Sequence, residues 1–346
     1  MKKTAKIILC AVLALTSLLT LTACGGSDVP IIGICQYAEH PSLDNCREGF
    51  LQGLVDAGLT EGTDYTIEYQ NAGSDDAINR QIAQSFSSKN VAIMCAIATP
   101  AATACYAEAE NKDIPVIFTA ITDPVIANLV DGNITGTSDK LPVEEQLALI
   151  RALQPDAEVI GILYTSSEPN SVSALAEYEE KAGEYGFVID SVGVTAQSEV
   201  TQAADTLISH EVDCFSNLTD NNVVDVLGSI LEKTNEAGIP VYGSEIEQVK
   251  IGCVASAGID YFELGRRTGM MAAKILTGES TASEMPYETI TDYNTYINSA
   301  ALDEMGITLP DEIAEIAIEV SQDDQAGDDT TQDDNADAEP EQAPAE

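Results

Sequence analysis

From residue 30 onward, short apolar runs alternate with stretches whose apolar positions recur every three or four residues. This pattern predicts strands at 30–36, 65–70, 91–97 and 114–119, and helices at 43–57, 75–87 and 99–110. Phe50, Leu51 and Leu54 share one face of the first helix, with Ser42 placed to cap it. Strand and helix alternate four times with no hairpin signal, so the segment reads as a parallel sheet covered by helices on both faces.

Residues 122–142, rich in Asp, Gly, Asn and Pro with one strand-like piece at 134–137, change the rhythm before a second set begins. That set predicts helices at 143–153, 171–185, 200–208 and 221–237, and strands at 159–164, 188–192, 214–217, 240–242 and 252–256. A further helix at 264–276 has a small face, Gly265, Gly269, Ala272 and Ala273, suited to close packing, but no obvious place in the second set. Final strands are expected within 286–296 and a short helix at 300–307. The fold class is therefore α/β, two doubly wound parallel-sheet lobes joined by hinge crossings near 139–141, 257–258 and 277–280. Residues 30–139 and 257–279 would form one lobe, and 140–256 and 280–310 the other. A chain of 346 residues exceeds the roughly 250–300 at which a single core usually splits.

Ahead of the lobes, residues 1–23 have a basic start (Lys2, Lys3, Lys6) and an apolar run shorter than the roughly 20 residues of a membrane span. This is the pattern of an export signal. Leu21, Thr22, Ala23 and Cys24, followed by Gly25, Gly26 and Ser27, resemble the lipobox of bacterial lipoproteins. The resemblance implies that Cys24 becomes a lipidated N-terminus carrying a diacylglyceryl thioether, with palmitate-type chains, and that 24–29 is a linker. Each buried methylene of such chains contributes about 0.8 kcal/mol, enough with two chains for stable anchoring. The expected location is extracytoplasmic, on the bacterial cell membrane.

The net charge of -43, from 58 acidic and 15 basic residues, excludes nucleic acid and anionic headgroups as partners. Residues 321–346 hold ten acidic and no basic residues, and lack the apolar surface needed to fold. Cys35, Cys46, Cys95, Cys105, Cys214 and Cys253 are an even set that invites disulfides. Four of them, Cys35, Cys95, Cys214 and Cys253, lie in strand-like runs where cysteine acts as a small hydrophobe, and the pairing stays open. With no C-x-x-C and only His40 and His210, no metal or cofactor is expected.

Ligands of open parallel sheets bind beyond the carboxyl ends of the strands. The residues predicted there include Tyr37, Glu39, His40, Thr99, Thr122 and Asp123 in the first lobe and Glu168, Asn170, Asp220, Asn221, Ser244 and Glu245 in the second. Hydroxyls and helix starts suit a carboxylate, Asp220 or Glu245 an ammonium, and Tyr37 an apolar group, so a zwitterionic amino acid fits. A phosphate or nucleotide is disfavoured, because no Lys or Arg stands at these positions. His40, directly before Pro41, reads as a turn residue. No G-x-S-x-G, H-E-x-x-H or Gly-rich phosphate loop points to catalysis.

Residues 33–44 (GICQYAEHPSLD), 98–102 (ATPAA), 118–125 (FTAITDPV) and 219–221 (TDN) together resemble the substrate-binding lipoproteins of ABC importers in the tryptophan/tyrosine group, built on the type I periplasmic-binding-protein fold. The resemblance covers 30–310. It implies a non-enzymatic receptor, expected to be a monomer, that closes two lobes over an aromatic amino acid and delivers it to an ABC permease. Family binding positions carry over to Thr99, Thr122, Asp123, Asn170, Asp220 and Ser244, while Tyr37 and Glu39 match the motif. The alternatives are another small solute (nucleoside, sugar or peptide), a surface-anchored hydrolase, or a signalling receptor of the same fold. The acidic tail is not part of the family pattern.

Overall fold

The computed structural model describes residues 29–320. The export signal, Cys24 with linker residues 25–28, and the acidic tail lie outside the described residues.

Strand β1 (Ile31–Gln36) is paired on both sides, with β2 (Thr66–Asn71) and β3 (Ile93–Ile97), and β4 (Val116–Thr119) and β5 (Ile134–Ser138) extend the sheet in parallel. Ile32, Ile34, Ile93, Met94, Ile97, Ile117 and Phe118 are fully buried. Continuous burial rather than alternation is what a parallel sheet covered on both faces requires. The covering helices are α1 (Pro41–Asp56), α2 (Asp76–Lys89) and α3 (Thr99–Ala109). α1 begins at Pro41, whose missing N–H costs nothing at a helix start, so Ser42 falls inside the first turn and not at the cap.

The second lobe has a parallel sheet in the order β7-β6-β8-β9: β7 (Val188–Val194), β6 (Val159–Thr165), β8 (Cys214–Ser216) and β9 (Val241–Tyr242). Helices α4 (Val143–Leu153), α5 (Pro169–Lys181), α6 (Val200–Ser209), α7 (Asn221–Val224), α8 (Leu227–Ala237) and α9 (Ile246–Ile251) surround it. The single helix expected at 221–237 is broken at Asp225 and Val226. β10 (Ala255–Gly258) joins this lobe through backbone bonds from Val254 to Val241 and from Gly243 to Ala255.

The chain then returns to the first lobe. Helix α10 (Tyr261–Leu276) packs on α1 with almost no space between backbones: a Cβ added at Gly265 would overlap the Cys46 carbonyl, and one at Gly49 the Phe262 carbonyl. This gives the helix with the small face its place. β11 (Glu288–Thr289) pairs in parallel with β5, so 280–290 belong to the first lobe and not, as expected, to the second. The third crossing accordingly lies between Ile290 and Asn294, well past 277–280. β12 (Asn294–Ile297), α11 (Ser299–Glu304), α12 (Asp311–Ala314) and β13 (Ala317–Glu319) complete the second lobe, β12 running antiparallel to β10.

The six cysteines at 35, 46, 95, 105, 214 and 253 are all buried and unpaired in the structure. Among the described residues no group of three His, Cys, Asp or Glu is placed to hold a metal, and no helix is long and apolar enough to cross a membrane.

Candidate functional site

The carboxyl ends of both sheets face one cleft. His40 follows β1, Thr99 follows β3, Ala120 and Thr122 follow β4, and Asp139 follows β5. Across the cleft Asn170 follows β6, Thr219 and Asn221 follow β8, and Glu245 and Gln248 follow β9, while Tyr261 follows β10 at a crossing between lobes. With Ser42, Leu43, Ala98 and Val224 they line a small cavity between the lobes. Two cavity-lining alanines hold positive φ, Ala98 at 81° and Ala120 at 57°. Such backbone costs on the order of 1–3 kcal/mol per residue and concentrates at ligand sites.

Six buried side-chain polar atoms among the described residues have no hydrogen-bond partner, and four of them belong to cavity residues: His40 Nδ1, Thr99 Oγ1, Asp139 Oδ1 and Asn170 Oδ1. Each orphaned group costs about 1–3 kcal/mol, a cost that a ligand supplying the missing partners removes. Asn170 is held firmly otherwise, its Nδ2 donating to Glu168 Oε2 at 3.0 Å and to the Thr219 carbonyl at 3.0 Å.

Burial sets the electrostatics. It lowers the His40 imidazole to about 4, so the ring is neutral at pH 7. It raises Asp139 above the ordinary carboxyl range against the pull of the Tyr261 hydroxyl. Glu245 is pushed up to about 7 by burial, although it accepts the backbone N–H groups of Glu247 and Gln248. Glu168 is pushed up to about 8, by burial first and then by the negative charge of Asp220. No Lys or Arg lines the cavity. A ligand bringing hydrogen-bond donors and positive charge is complementary to this lining; a multiply charged anion is not.

Contacts across the cleft hold the lobes together. Ser173 donates to Asp123 Oδ2 at 2.7 Å, Asn45 to Glu247 Oε1 at 2.8 Å and Ser74 to Asp225 Oδ2 at 2.8 Å, and the Thr122 and Thr219 hydroxyls meet at 3.1 Å. The lobes are closed.

Of the residues expected at the ligand, Thr99, Thr122 and Asn170 line the cavity. Asp220 does not. Its Oδ1 accepts the Thr165 hydroxyl and the Val223 N–H, and its Oδ2 the Thr165 N–H and the Ser171 hydroxyl, so every acceptor position is spent on bracing the second lobe. Tyr37 is turned aside, its hydroxyl donating to Asp76 at 3.0 Å. Glu39 is exposed, and Asp123 forms the latch to Ser173. Ser244 sits just behind the lining, its hydroxyl accepting from Gln248. Sequence reasoning missed Asp139, Tyr261 and Gln248, and read His40 as a turn residue. Asp139 carried a usable signal: it stands two residues past the strand-like piece at 134–137, close to the position relative to a strand of the other candidates.

Comparison with known proteins agrees with this geometry. Residues 31–321 match the family model of the ABC transporter substrate binding protein. A tyrosine-binding protein of Clostridioides difficile (strain R20291) is 37% identical over 277 residues, 78% of this chain and 79% of that protein. Among solved structures, an ABC domain from Streptococcus pneumonia in complex with L-Trp superposes with a TM-score of 0.81 at 31% identity, covering 84% of this chain and 99% of that one. The ligand-free, open structure of a substrate binding protein with adhesive properties from Clostridium difficile covers 84% of this chain and 100% of its own at 35% identity, yet its TM-score is 0.63. Higher identity with poorer superposition is what a closed chain gives against an open one. A two-lobed α/β receptor closed over a small cleft, with a family match along nearly its whole described length, this chain belongs to the ABC transporter substrate-binding protein family.

Proposed function

We propose that this protein captures one aromatic L-amino acid outside the cytoplasm, closes over it, and hands it to its ABC permease while tethered through a lipid on Cys24. The observation that carries the ligand assignment is the set of four orphaned polar atoms in a cavity without cations. Asp139 Oδ1 and Asn170 Oδ1 are acceptors for an ammonium, and the Thr99 hydroxyl at the start of α3 is a donor for a carboxylate. Leu43, Ala120 and Val224 supply apolar surface for a ring. Neutral His40 offers Nδ1 to a donor on that ring, which tyrosine has as O–H and tryptophan as N–H. The relative named for tyrosine and the neighbour holding L-Trp support the same class of ligand.

The reading is of a receptor, not an enzyme: the imidazole at the cleft pairs with the Asn221 side chain, while Ser42, the serine of the lining, pairs with Glu245. It acts as a monomer, its cleft being complete within one chain. Export and anchoring rest on the lipobox-like stretch around Cys24.

The test is a thermal-shift panel on protein unfolded and refolded to strip carried ligand, with the twenty amino acids alongside nucleosides, sugars and dipeptides. A rise in Tm confined to aromatic amino acids supports the assignment. A rise with another class alone replaces it. Acyl labelling of the wild-type chain, lost in Cys24→Ala, tests the anchor.

A further inference from the structure

Glu168 immediately precedes α5, is 3% exposed, and is absent from the cavity lining. Its Oε2 accepts the Asn170 Nδ2 at 3.0 Å, the Asn221 Nδ2 at 2.7 Å and the Asn221 backbone N–H at 3.2 Å. Asn170 also donates to the Thr219 carbonyl at 3.0 Å. Glu168 Oε2, which already receives both Asn221 N–H groups, and the Thr219 carbonyl are acceptors, so the amide nitrogen must face them. The amide oxygen is thereby turned away from both, and it is left buried and unpartnered in a residue that is 4% exposed and lines the cavity. A free carboxamide would present either end with equal ease.

We propose that Glu168 is a positioning residue for ligand selectivity: by engaging the Asn170 nitrogen it presents the Asn170 oxygen to the cleft, so that the site reads a protonated amine. This rests on the amino-acid reading above and deepens it. Asp220 does not substitute for Glu168 in this role, because its acceptor positions are already occupied by Thr165, Ser171 and Val223. Without Glu168 the Asn170 nitrogen keeps the Thr219 carbonyl at 3.0 Å and only a longer bond to the Ser171 hydroxyl at 3.3 Å, and rotation of the amide sets N–H groups against the ligand ammonium. A ligand that has the ring and carboxylate but no amine is indifferent to that rotation.

The experiment is calorimetric titration of wild type, Glu168→Leu and Glu168→Gln with L-tyrosine and with its des-amino analogue, 3-(4-hydroxyphenyl)propionate. Glu168→Leu should lose about 10- to 100-fold in affinity for the amino acid, the worth of a hydrogen bond to a charged group, and less than about threefold for the analogue. Glu168→Gln, which keeps an acceptor oxygen, should recover most of the loss. In an Asn170→Ala background Glu168→Leu should add no further loss, since its effect runs through Asn170. Equal losses for both ligands, or additive losses in the double variant, overturn the proposal. If Glu168→Leu does not fold, Glu168→Ala takes its place under the same criteria. Wild type that binds no amino acid overturns the ligand reading itself, an outcome seen before any variant is compared.

Discussion

Tyr261 donates its hydroxyl to Asp139 Oδ2 at 2.5 Å. The two residues stand at separate crossings between lobes, Asp139 just after β5 and Tyr261 just after β10, so the bond joins two hinge segments and leaves Asp139 Oδ1 free at the cavity. The carboxyl group proposed to meet the ligand is thus built into the part of the chain that joins the lobes.

Asp139→Asn should weaken amino-acid binding by about 10- to 100-fold, the loss of a charge-assisted bond of roughly 1.5–3 kcal/mol. Tyr261→Phe, which strips one donor from the same carboxylate, should have a smaller effect in the same direction. Calorimetric titration reads both, and circular dichroism checks that the fold is kept. Unchanged affinity in Asp139→Asn would remove the ammonium role.

Stability should depend on pH. Glu168 at about 8 and Glu245 at about 7 bind protons more tightly in the folded chain than the ordinary value of 4.5 that unfolding restores. Raised values mean that their contribution to stability is complete below about 4.5 and is lost as pH rises through about 7 and 8. Chemical denaturation of ligand-free protein should therefore give a lower unfolding free energy at about pH 8.5 than at about pH 6. A stability unchanged over that range, or moving the other way, would refute the linkage.

Ser173→Ala removes the donor to Asp123 across the cleft without touching the cavity lining. Ligand release, followed by stopped-flow fluorescence, should speed up by about three- to tenfold, since a part-buried latch is worth on the order of 1 kcal/mol. An unaltered release rate would mean that the latch does not hold the closed state.

Gly265→Ala should cost about 1–3 kcal/mol or more, because the added methyl has only the Cys46 carbonyl to displace. Gly183→Ala, with open space around the new carbon, serves as the control. Chemical denaturation separates the two, and equal stabilities would show that α1 and α10 are not packed backbone to backbone.

The alternation of strand and helix was legible because each element repeats a local period, and the glycine face of 264–276 announced a close-packed helix before its partner was known. β11 was not legible in its lobe: two exposed residues, Glu288 and Thr289, carry no hydrophobic pattern, and only pairing with β5 assigns them. The site divided in the same way. Thr99, Thr122 and Asn170 were found from their place after strands, whereas Asp220 looks identical in sequence to a ligand-binding residue and is spent on internal hydrogen bonds. Asp139 and Tyr261 reach the cavity only through the meeting of two crossings 122 residues apart, a long-range contact that no local pattern encodes.

The central claim is that the closed cleft holds one aromatic amino acid. Calorimetric titration of the stripped wild-type protein with L-tyrosine, L-tryptophan and L-phenylalanine tests it most directly. The account predicts one site per chain with micromolar or tighter affinity, and phenylalanine weakest because it offers His40 no donor. Absence of binding by all three, from protein shown to be folded, would contradict it.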